Sequence, residues 1–408
     1  MLNDFSLLFS FYGQSLTIGA ETAFIWAPPF LGFIFWHTWM AFVQAQYIAN
    51  YKWIMLEAKL PREIFKTPLA MEMVLTALFQ SGSGTWYDKI WKGKTKPWFS
   101  LEIVSSEGDV HFFIRTPAQF RKLIESNIYG QYPDIEVHEV QDYVANAPYL
   151  SQENEWTLWG GEFVLTKEDP YPIMTYVDYK LDSTQTKEEM KSDPIVSMIE
   201  LFGSIGRGQQ VWFQILVQAT GDRFPTKGKW FKKQDWKAEG KRVVEELKKK
   251  MTATDADGKT AKGTKMEMEM DIVHAVERSL AKYGFDCGMR MLYIAQKDNF
   301  DATVIPALIG SIRQYNSLTL NGFKPTKTTD FNYPWQDPWG NRLLKKKKEI
   351  FHAYVRRSYF FAPHKRKPFV LNTEELATVF HFPGGVAETP TFSRIDSRKG
   401  EPPANLPI

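Results

Sequence analysis

The sequence predicts an α+β chain: an N-terminal membrane-spanning helix, then two ferredoxin-like (βαββαβ-type) units, the second with a helical insertion. Three observations predict it. Thirty consecutive residues, Thr22 to Tyr51, carry no formal charge. From Ile54 to Val137 the hydrophobic period switches in the order strand, helix, strand, strand, helix, strand, which is the split-βαβ signature. Strand-like and helix-like segments then recur between Ile173 and Leu320, broken by a charged stretch.

The uncharged run exceeds the roughly 20 apolar residues that a helix needs to cross a bilayer. Phe30 to Val43 is almost wholly aliphatic and aromatic, and Trp26, Tyr47, Tyr51 and Trp53 are placed like interfacial belts. Pro28 and Pro29 are expected in the first turn, where no amide donor is lost. A buried core helix is the alternative, and His37, Gln44 and Gln46 favour it. A cleaved signal peptide is disfavoured, because the first 51 residues hold no Lys or Arg. Lys52, Lys59, Arg62 and Lys66 follow the run, so the positive-inside rule places the bulk of the chain in the cytoplasm, as a single-pass protein of the inner (cytoplasmic) membrane. Residues 1–52 form this segment, with Phe5 to Ala20 as an interfacial or periplasmic stretch.

Residues 53–145 make the first folded unit. Ile54, Leu56, Ala58 and Leu60 alternate with polar neighbours as a half-buried strand requires. Thr67 and Pro68 open a helix whose Met71, Val74, Leu75 and Leu78 share one face. Phe99 to Val104 and Val110 to Ile114 read as a hairpin about Ser105-Ser106-Glu107-Gly108. Phe120 to Ile128 is a second helix, and Ile135 with Val137 opens a fourth strand.

The second unit spans 160–325. Ile173 to Tyr179, Val211 to Gln218, Met289 to Ala295 and Leu318 to Leu320 are its expected strands; helices are expected near Glu188 to Phe202 and Asp301 to Tyr315. The insertion, about 229–283, reads as a charged helical hairpin with a mobile loop at Thr252 to Thr264. Residues 326–382 form a basic helical region that starts at a Pro/aromatic connector, Asn332 to Trp339. Asn372 and Glu375 can cap its last helix. Residues 383–408 are a Pro-rich extended tail.

Chemistry is sparse in this sequence. Its one cysteine, Cys287, excludes an internal disulfide and a multi-cysteine zinc site. Gly258-Lys259-Thr260 lacks the upstream glycine and strand of a phosphate loop. Gly206-Arg207-Gly208 precedes a strand, where a dinucleotide fingerprint opens a helix. The seven histidines form no H-E-x-x-H, Asp255-Ala256-Asp257-Gly258 lacks the other ligands of a calcium loop, and Gly82-Ser83-Gly84 lacks nucleophile-elbow spacing. No metal, cofactor or catalytic residue is expected, and the chain is read as a non-enzyme.

Charge supplies the positive signal. The net charge is only +3, yet between Arg342 and Lys367 ten Lys or Arg meet the single acid Glu349. Lys345, Lys346, Lys347, Lys348, Arg356, Arg357, Lys365, Arg366 and Lys367 are the candidate contacts, interleaved with Phe351, Tyr354, Tyr359, Phe360 and Phe361. Such a mixture suits phosphates and bases of nucleic acid. Anionic lipid headgroups and a merely solvated basic helix are the other two readings.

Three stretches carry a resemblance: LEAKLPREIFKTPLAMEMVLTAL (56–78), SLEIVSSEGDVHFFIRTP with IYGQYPDIEVHEVQDY (100–143), and LNTEELATVFHFPGGVAETPTFSRIDSRKGEPPANLP (371–407). They resemble the membrane-linked, non-catalytic N-terminal region of conjugation-type (type IV secretion) DNA-translocating ATPases. In those relatives a region like 371–407 leads into a motor with a Walker loop. The resemblance therefore implies a stand-alone structural or docking subunit of a translocation machine. Its expected partners are membrane lipid, a separate hexameric ATPase, DNA and further copies of the chain. The alternative is a membrane-tethered DNA-binding module that uses the basic 342–367 region.

Overall fold

Ala23–Ala49 forms one uninterrupted helix, α1. The computed structural model describes residues 21–61, 66–82, 84–147, 155–182, 193–222, 224–225, 233–256, 263–331 and 333–384. Two compact units result, Met1–Tyr51 with Ser83–Thr95, and Lys52–Gly82 with Lys96–Ile408. In the first, α1 is joined near its C-terminal end by the short helix Trp86–Ile90 (α3), whose Thr85 and Asp88 form a reciprocal capping box. Trp39 donates its indole N–H to the Ile90 carbonyl at 3.2 Å and meets Trp91 edge to face. Gly93, at φ +64°, lies so close that a Cβ there would fall 2.2 Å from the Val43 carbonyl oxygen.

No helix among the described residues is long and apolar enough to cross a membrane. The expected transmembrane span is thereby overturned, and with it the single-pass inner-membrane placement and the orientation read from flanking charge. Absence of charge is not apolarity. Within α1, Pro28, Pro29, Gly32, His37, Thr38, Gln44, Gln46 and three tryptophans dilute the aliphatic content. Pro28 and Pro29 sit inside the helix, beyond its first turn. The interfacial stretch expected at Phe5 to Ala20 lies outside the described residues.

The second unit is built on one antiparallel sheet of nine strands. Trp53–Lys59 (β1) leads through Pro68–Ala77 (α2) to the hairpin Trp98–Ser106 (β2) and Asp109–Pro117 (β3). Arg121–Gln131 (α4) and Glu136–Val140 (β4) follow. The second half repeats this order with Trp156–Leu165 (β5), Pro194–Gly203 (α5), Gln209–Ala219 (β6), Gly284–Gln296 (β9), Val304–Arg313 (α8) and Phe323–Thr326 (β10). Strands run β4-β1-β3-β2 in the first half and β6-β9-β5-β10 in the second, so the halves are mirror-ordered and meet where β2 pairs with β6. The two halves share one continuous sheet.

Inserted between β6 and β9 are a two-stranded ribbon, Phe224–Pro225 (β7) with Lys233–Gln234 (β8), and two helices, Trp236–Ala256 (α6) and Gly263–Leu280 (α7). Val244, Val273 and Val276 pack between the helices. The centre of the expected mobile loop, 257–262, lies outside the described residues, as does most of the tail, from 385 on. Ile173 to Tyr179 is a turn rather than a strand, and Leu318 to Leu320 is a bend. The missing strand is β5, which reads WTLWGGEFVL and is covered on both faces, so it has no polar alternation.

Phe99, Leu101 and Ile103 of β2, Val211, Phe213 and Ile215 of β6, and Met289, Met291 and Tyr293 of β9 face a layer that contains α2, α4, α5 and α8. The C-terminal segment completes this layer from within. Phe369–Asn372 (β11) pairs with β9 beyond the end of β5, Phe369 opposite Cys287. Thr373–Val379 (α10) then runs with every residue buried, opened by the expected Asn372/Glu375 capping box. Two cations tie α10 to its neighbours. Lys282 reaches Glu72 of α2 at 2.7 Å and Glu374 at 3.1 Å, and Arg278 of α7 reaches Glu374 at 3.3 Å.

Candidate nucleic-acid interface

On the opposite face of the sheet lies Asn341–Val355 (α9), whose Ile350 and Tyr354 pack with Leu158, Trp212 and Leu292 and whose Ala353 is also buried. Gly160 of β5 makes this approach possible, since a Cβ there would stand 2.6 Å from Leu292 and 3.1 Å from Ile350. Thr329 binds the Gly160 backbone from both directions, and Asp330 accepts the Trp159 indole N–H at 3.2 Å. These contacts fix the connector that feeds α9. At its end, Asp337 accepts from the Leu343 backbone N–H at 2.6 Å.

Beneath α9 a polar row crosses four neighbouring strands: Glu162 (β5) opposite Arg290 (β9), Arg290 opposite Gln214 (β6), Gln214 opposite Glu102 (β2). Buried charges persist only when paired and hydrogen-bonded, and the chain after α9 supplies the partners. Arg357 grips Glu102 with two bonds, 3.0 and 3.1 Å, and Asp142 with two more, 2.7 and 2.9 Å. Tyr143 and Ser100 also donate to Glu102. Burial acts to raise the Glu102 carboxyl, but the Arg357 charge and these hydrogen bonds outweigh it and hold it at about 2. Arg290 donates to Glu162 at 3.2 Å and to the Ala353 and Ser358 carbonyls at 2.8 and 2.6 Å, which pins the C-terminal end of α9.

The expected contact residues are thereby divided. Arg357 is buried and committed to Glu102 and Asp142. Arg366 bridges Glu349 at 2.6 Å and Glu162 at 3.4 Å. Lys347 turns inward to Thr157 at 2.8 Å, and burial lowers its pKa. Lys345, Lys346, Arg356, Lys365 and Lys367 are exposed, and Lys348 is half-buried. Of the aromatics in this region, Tyr354, Tyr359 and Phe360 belong to the core, and Phe351 and Phe361 are half-covered.

The connector carries the exposed rings of this region, Tyr333, Trp335 and Trp339. Tyr333 and Trp335 stack at 4.6 Å with their rings 13° apart, Trp335 is 72% exposed and Trp339 82%. Arg342, exposed, bonds the Gln336 carbonyl, and Lys346 lies 3.9 Å from the centre of the Phe331 ring. Lys346 also donates to the Asp330 carbonyl at 3.2 Å, and exposed aromatic rings and exposed cations share one short stretch, 331–346. Read from sequence, Asn332 to Trp339 is a Pro/aromatic connector, and none of its rings is among the candidate contacts. The available signal was three large rings among prolines, which no periodic element can bury.

Among the described residues no cluster of His, Cys, Asp and Glu could hold a metal ion. An open cleft of about 490 Å³ beside α7 is lined by Asp178, Asp271, His274 and Arg278, but Arg278 is already held by Asp178 and Glu374. No curated protein matches the chain. A role in secretion or conjugation has no support beyond the resemblance above. Residues 58–394 match the model of a domain of unknown function, DUF8128, and the chain belongs to that family.

Proposed function

We propose that this chain is a non-catalytic component of a DNA-handling assembly, and that it meets single-stranded DNA through the 331–346 connector and the outward side of α9. The observation that carries this is the pairing of solvent-facing Tyr333, Trp335 and Trp339 with Arg342, Lys345 and Lys346 on one short stretch. Bases stack on rings whatever their sequence, and phosphates follow the cations, so such a surface takes an unpaired strand. A duplex hides its base faces and is the poorer ligand. The resemblance to the non-catalytic region of DNA-translocating ATPases supports the same reading, with an ATPase as working partner.

The test compares labelled single-stranded and duplex oligonucleotides on the full chain. Trp335→Ala with Trp339→Ala is expected to weaken the single strand by about 10-fold or more, at roughly 1–3 kcal/mol per stacked base, and to leave duplex binding little changed. Equal affinity for both forms, unaffected by the tryptophans, contradicts the proposal.

A further inference from the structure

We propose that α1 is a homotypic docking element, whose apolar surface is covered by α1 of further copies of this chain. Phe24, Ile25, Trp26, Phe30, Leu31, Phe33, Ile34, Phe35, Trp36 and Phe42 are all exposed, from 44% for Ile34 to 77% for Phe24. At about 100° per residue, the four consecutive side chains Phe33 to Trp36 reach every side of the helix. The polar residues of α1 all follow Trp36, so residues 24–36 are apolar on every side, and a helical stretch of that kind is stable only when enclosed. The exposed rings and aliphatic chains amount to on the order of 1,000 Å² per copy. A standard interface takes roughly 800 Å² from one face of each partner, so a surface spread round the whole helix calls for more than one neighbouring copy.

The occupant follows from charge and symmetry. Thr22 to Tyr51 contains no charged residue, so a partner with a charged face would lose water from its charges and find no countercharge on α1. An isologous contact needs a surface complementary to itself, and an uncharged apolar helix meets that condition at any rotation. The C-terminal half of α1 is less available, because Ile90 of α3 and the following Trp91 and Gly93 already meet it at Trp39 and Val43. The contact therefore centres on residues 24–36.

Mass measurement by light scattering, on full-length chain purified without detergent at about 10 μM, tests this, since interfaces of such size range from micromolar to picomolar in affinity. A discrete oligomer is expected. Phe30→Ser, Phe33→Ser and Trp36→Ser together should convert it to monomer with an unchanged far-ultraviolet spectrum. Phe33→Cys should give a disulfide-linked dimer on oxidation, because the native Cys287 is buried and out of reach. A monomeric wild-type chain overturns the proposal. So does an oligomer that the triple variant leaves intact, or wild-type chain that floats as monomer with phosphatidylcholine vesicles.

Discussion

Arg357 holds together elements distant in sequence, because one guanidinium satisfies Glu102 on β2 and Asp142 after β4. Removing it strands a buried carboxylate, so Arg357→Met is expected to cost about 3–5 kcal/mol in denaturant unfolding. The pH dependence follows from the depressed Glu102 carboxyl. Its stabilisation is fully present above the ordinary value of 4.5 and is lost as pH falls toward about 2. Glu102→Gln should therefore lower the unfolding midpoint at pH 7 and flatten its decline between those pH values. Glu375 has the opposite sign: burial raises it to about 8 against two backbone N–H bonds, so its contribution is present below pH 4.5 and fades as pH rises through about 8. The Arg357 pairings are not legible in the sequence, since Glu102 and Arg357 lie 255 residues apart. The Asn372/Glu375 cap was legible because both partners lie within one helical turn.

At the scale of elements, α9 shows why a charge run misleads. Lys345 to Lys348 are four adjacent lysines, but a helix turns 100° per residue and so aims them in different directions. Lys347 faces Thr157 while Lys345 is exposed. Lys345→Ala is expected to reduce the slope of log affinity against log salt for a single strand by about 0.7, and Lys347→Ala to leave it unchanged, as read by fluorescence anisotropy. Close packing behind α9 gives a second expectation. A Cβ on Gly288 would stand 2.5 Å from the Tyr359 ring, so Gly288→Ala should destabilise by about 1–3 kcal/mol. Helix α2 and the β2–β3 hairpin were readable from period and turn residues, each having one face to water or a local turn. Strand β5 was not, because both faces are buried and Gly160-Gly161 resembles a loop.

For the whole molecule, the chain closes on itself late. Strand β11 continues the sheet and α10 fills its helical layer, so residues near 370 complete a core begun near 54. Truncation after Lys367 is expected to abolish cooperative unfolding and near-ultraviolet dichroism of the sheet unit. The joining of the two halves through β2 and β6 could not be read from sequence, because edge strands and interior strands differ only in what pairs with them. The membrane span failed for a different reason, since thirty residues without charge still carry proline, histidine, glutamine and threonine.

On the reading proposed above, the connector and α9 offer cations to the phosphates of an unpaired strand. Titration of a labelled single-stranded oligonucleotide against the full chain, repeated from about 50 to 200 mM salt, tests it most directly. Affinity should fall steeply with salt, and Arg342→Ala with Lys345→Ala and Lys346→Ala should flatten the slope by about 2. Affinity that ignores salt, or a slope the triple variant leaves unchanged, contradicts it.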